Sequence, residues 1–432
     1  MDPSSPDRAA ACPVETKFAL RLNPQSFTEN GLLRDPASRI LFEHYLHRTH
    51  KIMAVCKGSR TPFVHELVPI AMSSRLVLNG LLAFSGIHYG DLIGGVNQEI
   101  TWVHYGQAIQ GLKYGLTQYM HGKSDDILSL VITTTILCIA EVSATRWTQA
   151  FLLTIHQSFR ANAGTCALQH LKATRYLLTQ ALSLRESQIP SGVRAFLLER
   201  YVYTITLSHI TMGQSSDEWV LDDIALLFPT TQTDTAHPNE ILSGCVHEIF
   251  KFIPRVMVHA RQLQLQKLHG EDIDEAIRVC ASLRTEVAAW EPTVQEENYV
   301  LCGRIYQLAM CFYLDSILVQ HVPQEEKEYY ASSIGKFLDT GMPWLESISI
   351  DSPVSTTLCW PLAIFGACAK LAEHRKIIGD RLAQLSAWYS APSVLETKKL
   401  LEILWSQDAH DHAGPLEFER IMRKEDLTVL FL

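Results

Sequence analysis

The sequence predicts an all-α protein, a large multi-helix bundle of antiparallel helical hairpins that follows a disordered N-terminal arm. Apolar residues recur at spacings of three, four and seven through most of the chain, as on one face of an α-helix. No segment sustains the alternation of apolar and polar residues that a strand requires, and no βαβ unit occurs. With 432 residues, of which 47% are hydrophobic, the chain is long enough to bury a sizeable core.

The first elements follow from local residue chemistry. Residues 1–34, rich in Pro, Ser and Asp, predict a flexible arm. Asp35-Pro36 then predicts the start of a helix, because proline in the first turn lacks an N–H that would have no helical partner there. The apolar surface of residues 67–89 extends around most of the circumference, which predicts a helix buried on nearly all sides.

The same spacing predicts helices along the rest of the chain. Their expected bounds are about 97–120, 124–145, 163–184, 191–212, 238–268, 271–290, 294–320, 324–341, 355–376, 379–390 and 393–407. Polar breaks at 213–217 and 228–238 divide the predicted domain, residues 35–432, into halves at 35–213 and 237–432. The run 358–368 has a Trp-Pro entry and several small residues, and it predicts the central buried helix of the bundle.

Composition excludes several classes of protein. The net charge of −9 argues against a nucleic-acid binder, so no direct nucleic-acid binding is expected. None of the ten cysteines forms a CxxC pair, which is typical of a reducing compartment without disulfides. The N-terminus lacks the features of a secretory signal, and the most apolar uncharged run, 127–140, is too short to span a bilayer. We therefore expect no membrane association and an intracellular protein, in the nucleus or the cytoplasm.

Searches for metal, cofactor and nucleophile motifs lead to structural interpretations. His44, His47 and His50 are predicted to face solvent rather than hold a metal. Gly122-Lys123-Ser124 lacks the first glycine and the preceding strand of a phosphate-binding loop, so it predicts a turn in which Ser124 caps the next helix. No metal site and no cofactor are expected.

Polar and aromatic side chains embedded in apolar helices are the remaining candidates for a ligand pocket. They are His88, Tyr89, Glu141, His209, Tyr306, Tyr313 and Trp360. Each alone is expected to be a satisfied core residue, because buried polar groups must be hydrogen-bonded. If several converge on one cavity, that cavity becomes the predicted binding site. No catalytic residue is assigned, although His88, Tyr89, His209 and Glu141 would be the first acid, base or donor candidates.

Several blocks of the chain resemble, in order, the second type of fungal-specific transcription factor domain. The run 358–368 resembles the signature LLWPLFIAGCEA near the end of that domain. The other blocks are LFEHYLHRTHKIMA at 41–54, TPFVHELVPIAMSSRLVLNGLLAFSGIHYG at 61–90, CALQHLKATRYLL at 166–178, AFLLERYVYTITLSHI at 195–210, ILSGCVHEIFKFIPRVMVHARQ at 241–262 and LLEILWSQDAHD at 400–411. The resemblance reaches from about residue 36 to the C-terminus and implies an all-helical regulatory body.

One feature usual in that family is missing from the sequence. Its members usually carry six cysteines that hold two zinc ions, whereas here only Cys12 and Cys56 precede residue 100. The resemblance implies a regulator that responds to a small hydrophobic ligand or acts through a partner transcription factor, or as a homodimer, and that is tied to secondary metabolism. The alternative is a cofactor-independent enzyme of natural-product biosynthesis, a cyclase, isomerase or pericyclase, built on the same scaffold. The sequence leaves enzyme or regulator open.

Overall fold

A computed structural model of the chain describes residues 31–53, 61–93, 98–142, 163–183, 189–208, 247–389, 392–407 and 414–425, together with 427, 429 and 431. Within these ranges the secondary structure is helical and no strand occurs. The predicted all-α class is therefore confirmed. The predicted break between the halves lies outside the described residues, and the division into halves stays a prediction. Below, the N-terminal half denotes described residues up to 208 and the C-terminal half those from 247.

The N-terminal half contains the first eight α-helices of the described chain. They are α1 Pro36–His47, α2 Pro62–His65, α3 Leu67–Ser73, α4 Arg75–Ile93, α5 Gln98–Met120, α6 Ile127–Val142, α7 Ala163–Ser183 and α8 Ser191–Ser208. Short 3-10 helices at Gly31–Arg34 and Thr49–Met53 flank α1.

The C-terminal half contains the remaining α-helices that the structure describes. They are α9 His247–Phe250, α10 Phe252–His269, α11 Asp274–Ala288, α12 Glu297–His321, α13 Gln324–Ser347, α14 Cys359–Cys368, α15 Ala372–Tyr389, α16 Pro392–Ser406 and α17 Phe418–Lys424. Two further 3-10 helices occupy Pro353–Thr357 and Gly414–Glu417.

Helix α1 begins where the sequence predicts. Asp35 Oδ2 accepts a hydrogen bond from the backbone N–H of Ser38 at 2.7 Å, and Pro36 occupies the first turn. Residues 1–30 of the predicted arm lie outside the described residues. Residues 31–34 do not belong to a free arm, because they form a 3-10 helix that buries Leu33 against α1.

The predicted helix over 67–89 is broken in two at Ser74. The backbone of Ser74 is extended, and its hydroxyl accepts hydrogen bonds from the N–H of Val77 and the hydroxyl of Ser129. A serine that satisfies the first turn of the following helix ends one helix and starts another. The second segment, α4, is buried along Val77–His88, as its apolar circumference predicts.

The helix predicted from residue 124 begins at Ile127, and its cap is not Ser124. Asp126 Oδ1 accepts from the N–H of Ser129 at 3.1 Å, so the aspartate caps α6. Ser124 Oγ instead accepts from the N–H of Asp126 at 3.3 Å. Gly122 has φ of +65°, a left-handed conformation that glycine adopts without strain, which makes it the turn residue between α5 and α6.

Antiparallel hairpins account for much of the packing, as predicted. In α4 and α5, Asn79 meets His104 whereas Gly86 meets Thr101, so the two helices run in opposite directions. The α12–α13 pair shows the same arrangement: Phe312 meets Phe337, and Gly341 meets Leu308.

Helix α14 is the central helix of the C-terminal half, and all ten of its residues are buried. It departs from the hairpin pattern because it runs parallel to α12, with Tyr306 against Trp360 and Phe312 against Phe365. It also runs parallel to α16, since Cys359 lies beside Thr397 and Gly366 beside Leu401. The central position predicted for 358–368 is confirmed, but its neighbours come from distant parts of the sequence.

Several predicted helix bounds in the C-terminal half differ from the structure. The helix predicted for 355–376 is only α14, and α15 already begins at Ala372, before the predicted 379. The helix predicted to end at 341 continues to Ser347 across Pro343, where Met342 and Leu345 are buried. The helix predicted for 238–268 is described from 247 and is divided at Lys251. In each case tertiary packing overrides the local signal.

Candidate functional site

A pocket of about 280 Å³ opens at the C-terminal end of α14. Its walls come from α12, α13, α15 and α16, with the last turn of α14 at its base. It is lined by Ser316, Val319, Gln320, Ala331, Ile334, Gly335, Leu338, Asp339, Ala367, Cys368, Ala369, Lys370, Leu371, His374, Arg375, Leu404, Trp405 and Gly414. A concave, mostly apolar space with a few polar groups has the character of a small-molecule site.

One wall of the pocket is apolar and belongs to α12 and α13. Val319, Ile334 and Leu338 provide its side chains. Gly335 also lines this wall, and a Cβ built on it would meet no atom within 4 Å. The space in front of Gly335 is therefore open, and a larger residue there would project into it.

The opposite wall is polar and belongs to the start of α15. Lys370, His374 and Arg375 lie there, next to the exposed Leu371. Arg375 already donates from Nε to the carbonyl oxygen of Ala369 at 2.9 Å, and its guanidinium lies 5.9 Å from the ring centre of Trp405. Among the described residues no acidic side chain pairs with Lys370, so its charge remains available to a ligand.

His374 is the most unusual side chain of this wall. It is nine-tenths buried, and its Nε2 lies 3.4 Å from Oδ1 of the exposed Asp339. Its Nδ1 is buried without a hydrogen-bond partner among the residues that the structure describes. Leaving such a group unpaired costs about 1–3 kcal/mol, so a partner supplied by a ligand would be favourable.

The sequence did not single out this pocket. Lys370, His374 and Arg375 look like ordinary surface charges at a helix start, and the apolar wall looks like core. The position of the Trp-Pro helix was the signal that could have located the pocket. Polar residues that directly follow a fully buried helix lie at the end of that helix, where the pocket opens.

Two of the predicted pocket residues, His88 and Tyr89, lie together in the N-terminal half. His88 Nδ1 is 3.1 Å from His44 Nε2 and 3.1 Å from Thr49 Oγ1, and the ring of Tyr89 packs edge-on against His44. Burial lowers the pKa of His88 to about 3, helped by the neighbouring His44, while a hydrogen bond to the backbone of Tyr389 acts in the opposite direction. The ring of His88 is therefore neutral at physiological pH.

The histidines of α1 and its 3-10 extension do not all face solvent, contrary to the prediction. His44 is half-buried against His88, and burial lowers its pKa to about 4. His50 is buried, and its Nδ1 lies 3.0 Å from the carbonyl oxygen of Tyr45. Only His47 of the three is exposed.

Sequence reasoning missed a second buried histidine nearby. His104 Nδ1 lies 2.8 Å from Asn79 Oδ1, and its Nε2 lies 2.8 Å from the hydroxyl of Ser38. Burial lowers its pKa to about 4. Its position between apolar residues of α5, one before the buried Tyr105, is the signal that would have identified it.

Glu141 lies at the end of α6 with two other polar residues. The hydroxyl of Tyr105 donates to Glu141 Oε1 at 2.5 Å, and His170 Nε2 is 3.1 Å from the same oxygen. Glu141 Oε2 is buried without a partner among the described residues. One oxygen of Glu141 thus accepts from a phenol and lies within hydrogen-bond distance of an imidazole.

Tyr306 and Trp360 lie in the core of the C-terminal half. Their rings stack at 5.6 Å, and the Tyr306 hydroxyl donates to the carbonyl oxygen of Thr357. Burial raises the pKa of Tyr306 well above its usual range. Tyr313, also on α12, is half-buried and packs against the core, whereas His209 lies outside the described residues.

The described candidates thus fall into three places. None of them lines the pocket at α14 or the second described cavity, a void of about 10 Å³ between Phe63, Phe84 and Phe196 that is barely large enough for a water molecule. Convergence of the candidates on one cavity stays a prediction. Within the described ranges, no three His, Cys, Asp or Glu side chains come together as metal ligands, and no helix is long and apolar enough to cross a bilayer.

Comparison with family models decides what kind of protein this is. The model of the fungal-specific transcription factor domain matches residues 40–432. The chain belongs to this family. A regulatory, transcription-factor-like role is supported by this membership, and the predicted resemblance is confirmed. Comparisons with curated proteins and with solved structures find no match.

Proposed function

We propose that this member of the fungal-specific transcription factor family is a regulatory body that responds to a small molecule bound in the pocket at the end of α14. The observation that carries the proposal is the pocket itself, a concave space of about 280 Å³ with a buried, unpaired imidazole nitrogen in its wall. Its base is the last turn of the central helix, so a ligand there would contact the core of the C-terminal half directly.

Helix α15 connects this pocket with the N-terminal half. Its first turn forms the polar wall, and its last residue, Tyr389, contacts His88 through its backbone. Its 18 residues span about 27 Å at the rise of an α-helix. A ligand that displaces the start of α15 would therefore alter packing at the His44–His88 pair, which gives a physical route between two distant sites.

The role also concerns partners and location. We propose that the regulator acts inside the cell, in the nucleus or cytoplasm, on genes of secondary metabolism, alone as a homodimer or with a partner transcription factor. The support is family membership, because regulators of this kind work on transcription.

A pair of substitutions at Gly335 tests the proposal. Gly335→Trp adds a large side chain at the pocket wall, where its Cβ would meet no atom within 4 Å, whereas Gly335→Ala adds only that Cβ. Transcripts that change when the gene is deleted should change in the same direction in the Gly335→Trp strain and not in the Gly335→Ala strain, at equal protein levels. If both strains match wild type, the pocket is not the regulatory input.

The enzyme alternative has one specific observation in its favour. Glu141, Tyr105 and His170 form a hydrogen-bonded group whose second carboxylate oxygen is unpaired among the described residues. Such a group could transfer a proton during a cyclisation or isomerisation. A Glu141→Gln strain that accumulates one metabolite while transcripts stay unchanged would favour catalysis. Altered transcripts without an accumulated metabolite would favour regulation.

A further inference from the structure

We propose that the ligand of this pocket is a small amphipathic monocarboxylate, an inference that rests on the proposed function and names its ligand class. The carboxylate would lie at the first turn of α15 beside Lys370 and His374. The apolar part would lie along the wall formed by α12 and α13.

The first argument is the uncapped start of α15. Leu371 immediately precedes the helix, and its aliphatic side chain cannot accept a hydrogen bond. No side chain of the described residues accepts from the first N–H groups of this 18-residue helix. These groups carry the positive end of the helix dipole and bind anions well, and here they adjoin a pocket.

The second argument is independent and comes from His374. This side chain is nine-tenths buried in the pocket wall, and its Nδ1 has no partner among the described residues. Asp339 Oδ1 lies 3.4 Å from Nε2, and the imidazolium form of a histidine carries an N–H on each ring nitrogen, so Nδ1 can donate to a ligand while Nε2 faces Asp339. A ligand carboxylate is the partner that matches this donor, and the bond would be charge-assisted.

The charges of the pocket select a single negative charge. Lys370 and Arg375 are both positively charged, and neither pairs with an acidic side chain of the described residues, although Arg375 also donates to a backbone carbonyl. Asp339, on the α13 side, would repel a second anionic group. Among the described lining residues, two cations with one carboxylate favour a monoanion over a dicarboxylate or a phosphate ester.

The size and lining of the pocket define the rest of the ligand. A volume of about 280 Å³ lies just below the usual range of ligand pockets, which extends from about 300 to 1,000 Å³. Val319, Ile334 and Leu338 offer an aliphatic surface, and Leu371, exposed at the rim, would be covered by an apolar group. A short alkyl or aryl chain fits this surface better than a sugar or a nucleotide.

Three small molecules with the same number of carbon atoms test the inference. Octanoate, 1-octanol and octylamine differ only in the head group, and their affinities for the full chain can be measured by titration calorimetry. We expect octanoate to bind at least about tenfold more tightly than octanol, the difference that one charge-assisted hydrogen bond makes, and octylamine to bind most weakly.

Matched variants assign the preference to the proposed residues. Lys370→Gln and His374→Phe should each remove most of the preference for octanoate over octanol. Lys376→Gln, an exposed lysine of the same helix outside the pocket, should leave it unchanged. Gly335→Trp should weaken the binding of all three probes. Circular dichroism of each variant shows whether the helical fold is retained.

The outcomes separate the ligand class from the proposed function. If the probes bind equally and Gly335→Trp weakens them all, the pocket is a ligand site but the carboxylate assignment is wrong. The same assignment is wrong if octylamine binds best, or if octanoate does not bind at all. The proposed function is tested separately, by the transcripts of the Gly335→Trp strain.

Discussion

In the N-terminal half the buried histidines bond to one another and to hydroxyl groups, whereas in the C-terminal half the polar side chains collect at one end of a fully buried helix. Both ring nitrogens of His104 have hydrogen-bond partners, whereas His44 and Thr49 share the Nδ1 atom of His88. Neither histidine lines a described cavity. In the C-terminal half Tyr306 and Trp360 stack within an apolar core, and the pocket lies beyond its end. The comparison teaches that the hydrogen-bonded cluster of buried histidines and the pocket occur in different places.

This division has a thermodynamic consequence. Neutral buried histidines make stability depend on pH, because the unfolded chain can take up the protons that the folded chain excludes. An apolar core makes stability depend on shape instead, because its contacts need close packing. The two halves should therefore respond differently to substitution and to acid.

The largest effect is expected at Trp360. Trp360→Ala removes a fully buried indole from the first turn of α14, and large-to-small changes of this kind cost about 3–5 kcal/mol. Trp388→Ala is the matched control, because that side chain is 56% exposed, and it should change the free energy of unfolding by less than about 1 kcal/mol. Urea unfolding measures both. Equal losses would show that α14 is not central to stability.

The next effect is expected where α14 approaches α16. A Cβ added to Gly366 would meet Leu401 Cδ1 at 2.5 Å, so Gly366→Ala should destabilise by about 1–3 kcal/mol. At Gly379 of α15 the nearest atom to an added Cβ is on Trp405, at 4.0 Å, and Gly379→Ala should be neutral or stabilising. Thermal unfolding of the two variants compares the same change in a close and an open environment. A stable Gly366→Ala protein would mean that α16 can move away from α14.

A smaller effect concerns acid and the N-terminal half. Because the pKa of His88 is lowered to about 3, the folded protein keeps this ring neutral, while the unfolded chain protonates it near pH 6.5. Its stability contribution is complete above about pH 6.5 and is lost as the pH falls towards 3. At pH 5 the loss is about 1–2 kcal/mol.

Replacement of the histidine tests this linkage. His88→Gln should lose less stability than wild type between pH 7.5 and pH 5 by that amount, measured by urea unfolding at each pH. His47→Gln, at an exposed position of the same neighbourhood, should follow wild type. A wild-type protein as stable at pH 5 as at pH 7.5 would contradict the assignment of neutral, buried imidazoles.

The smallest effect is expected at the pocket wall. Gly335→Ala in the middle of α13 should stabilise the protein by about 0.4–1 kcal/mol, because alanine favours the helix and an added Cβ meets no neighbour. The shift in the thermal midpoint measures it. Destabilisation would show that the space in front of Gly335 is not open.

Much of the fold could be predicted from the sequence, and the pocket could not. Apolar periodicity identified nearly every long helix, and the Trp-Pro run identified the central one. The predicted end of α14 was wrong because no glycine or proline follows the last residue of this helix. Instead, Trp405 Nε1 donates to the carbonyl oxygen of Gly366, and Arg375 Nε donates to that of Ala369. Those contacts depend on tertiary structure, which local patterns do not contain.

The pocket escaped prediction for the same reason. Val319, Gly335, His374 and Trp405 are far apart in the sequence, and each alone is typical of a helix surface or of a core. His88 and Tyr89 were identified because they are polar residues at the end of an apolar helix, but their partner His44 had been expected to face solvent. Sequence patterns indicate which side chains are buried more readily than which of them meet.

The parallel packing of α14 against α16 has a consequence for biosynthesis. Helix α16 is translated after α14. The wholly apolar α14 therefore emerges from the ribosome before one of its two parallel neighbours does. During that interval the nascent polypeptide exposes an apolar surface of the kind that chaperones bind and that drives aggregation. A polypeptide truncated between residues 370 and 390 should therefore need a chaperone to stay dispersed.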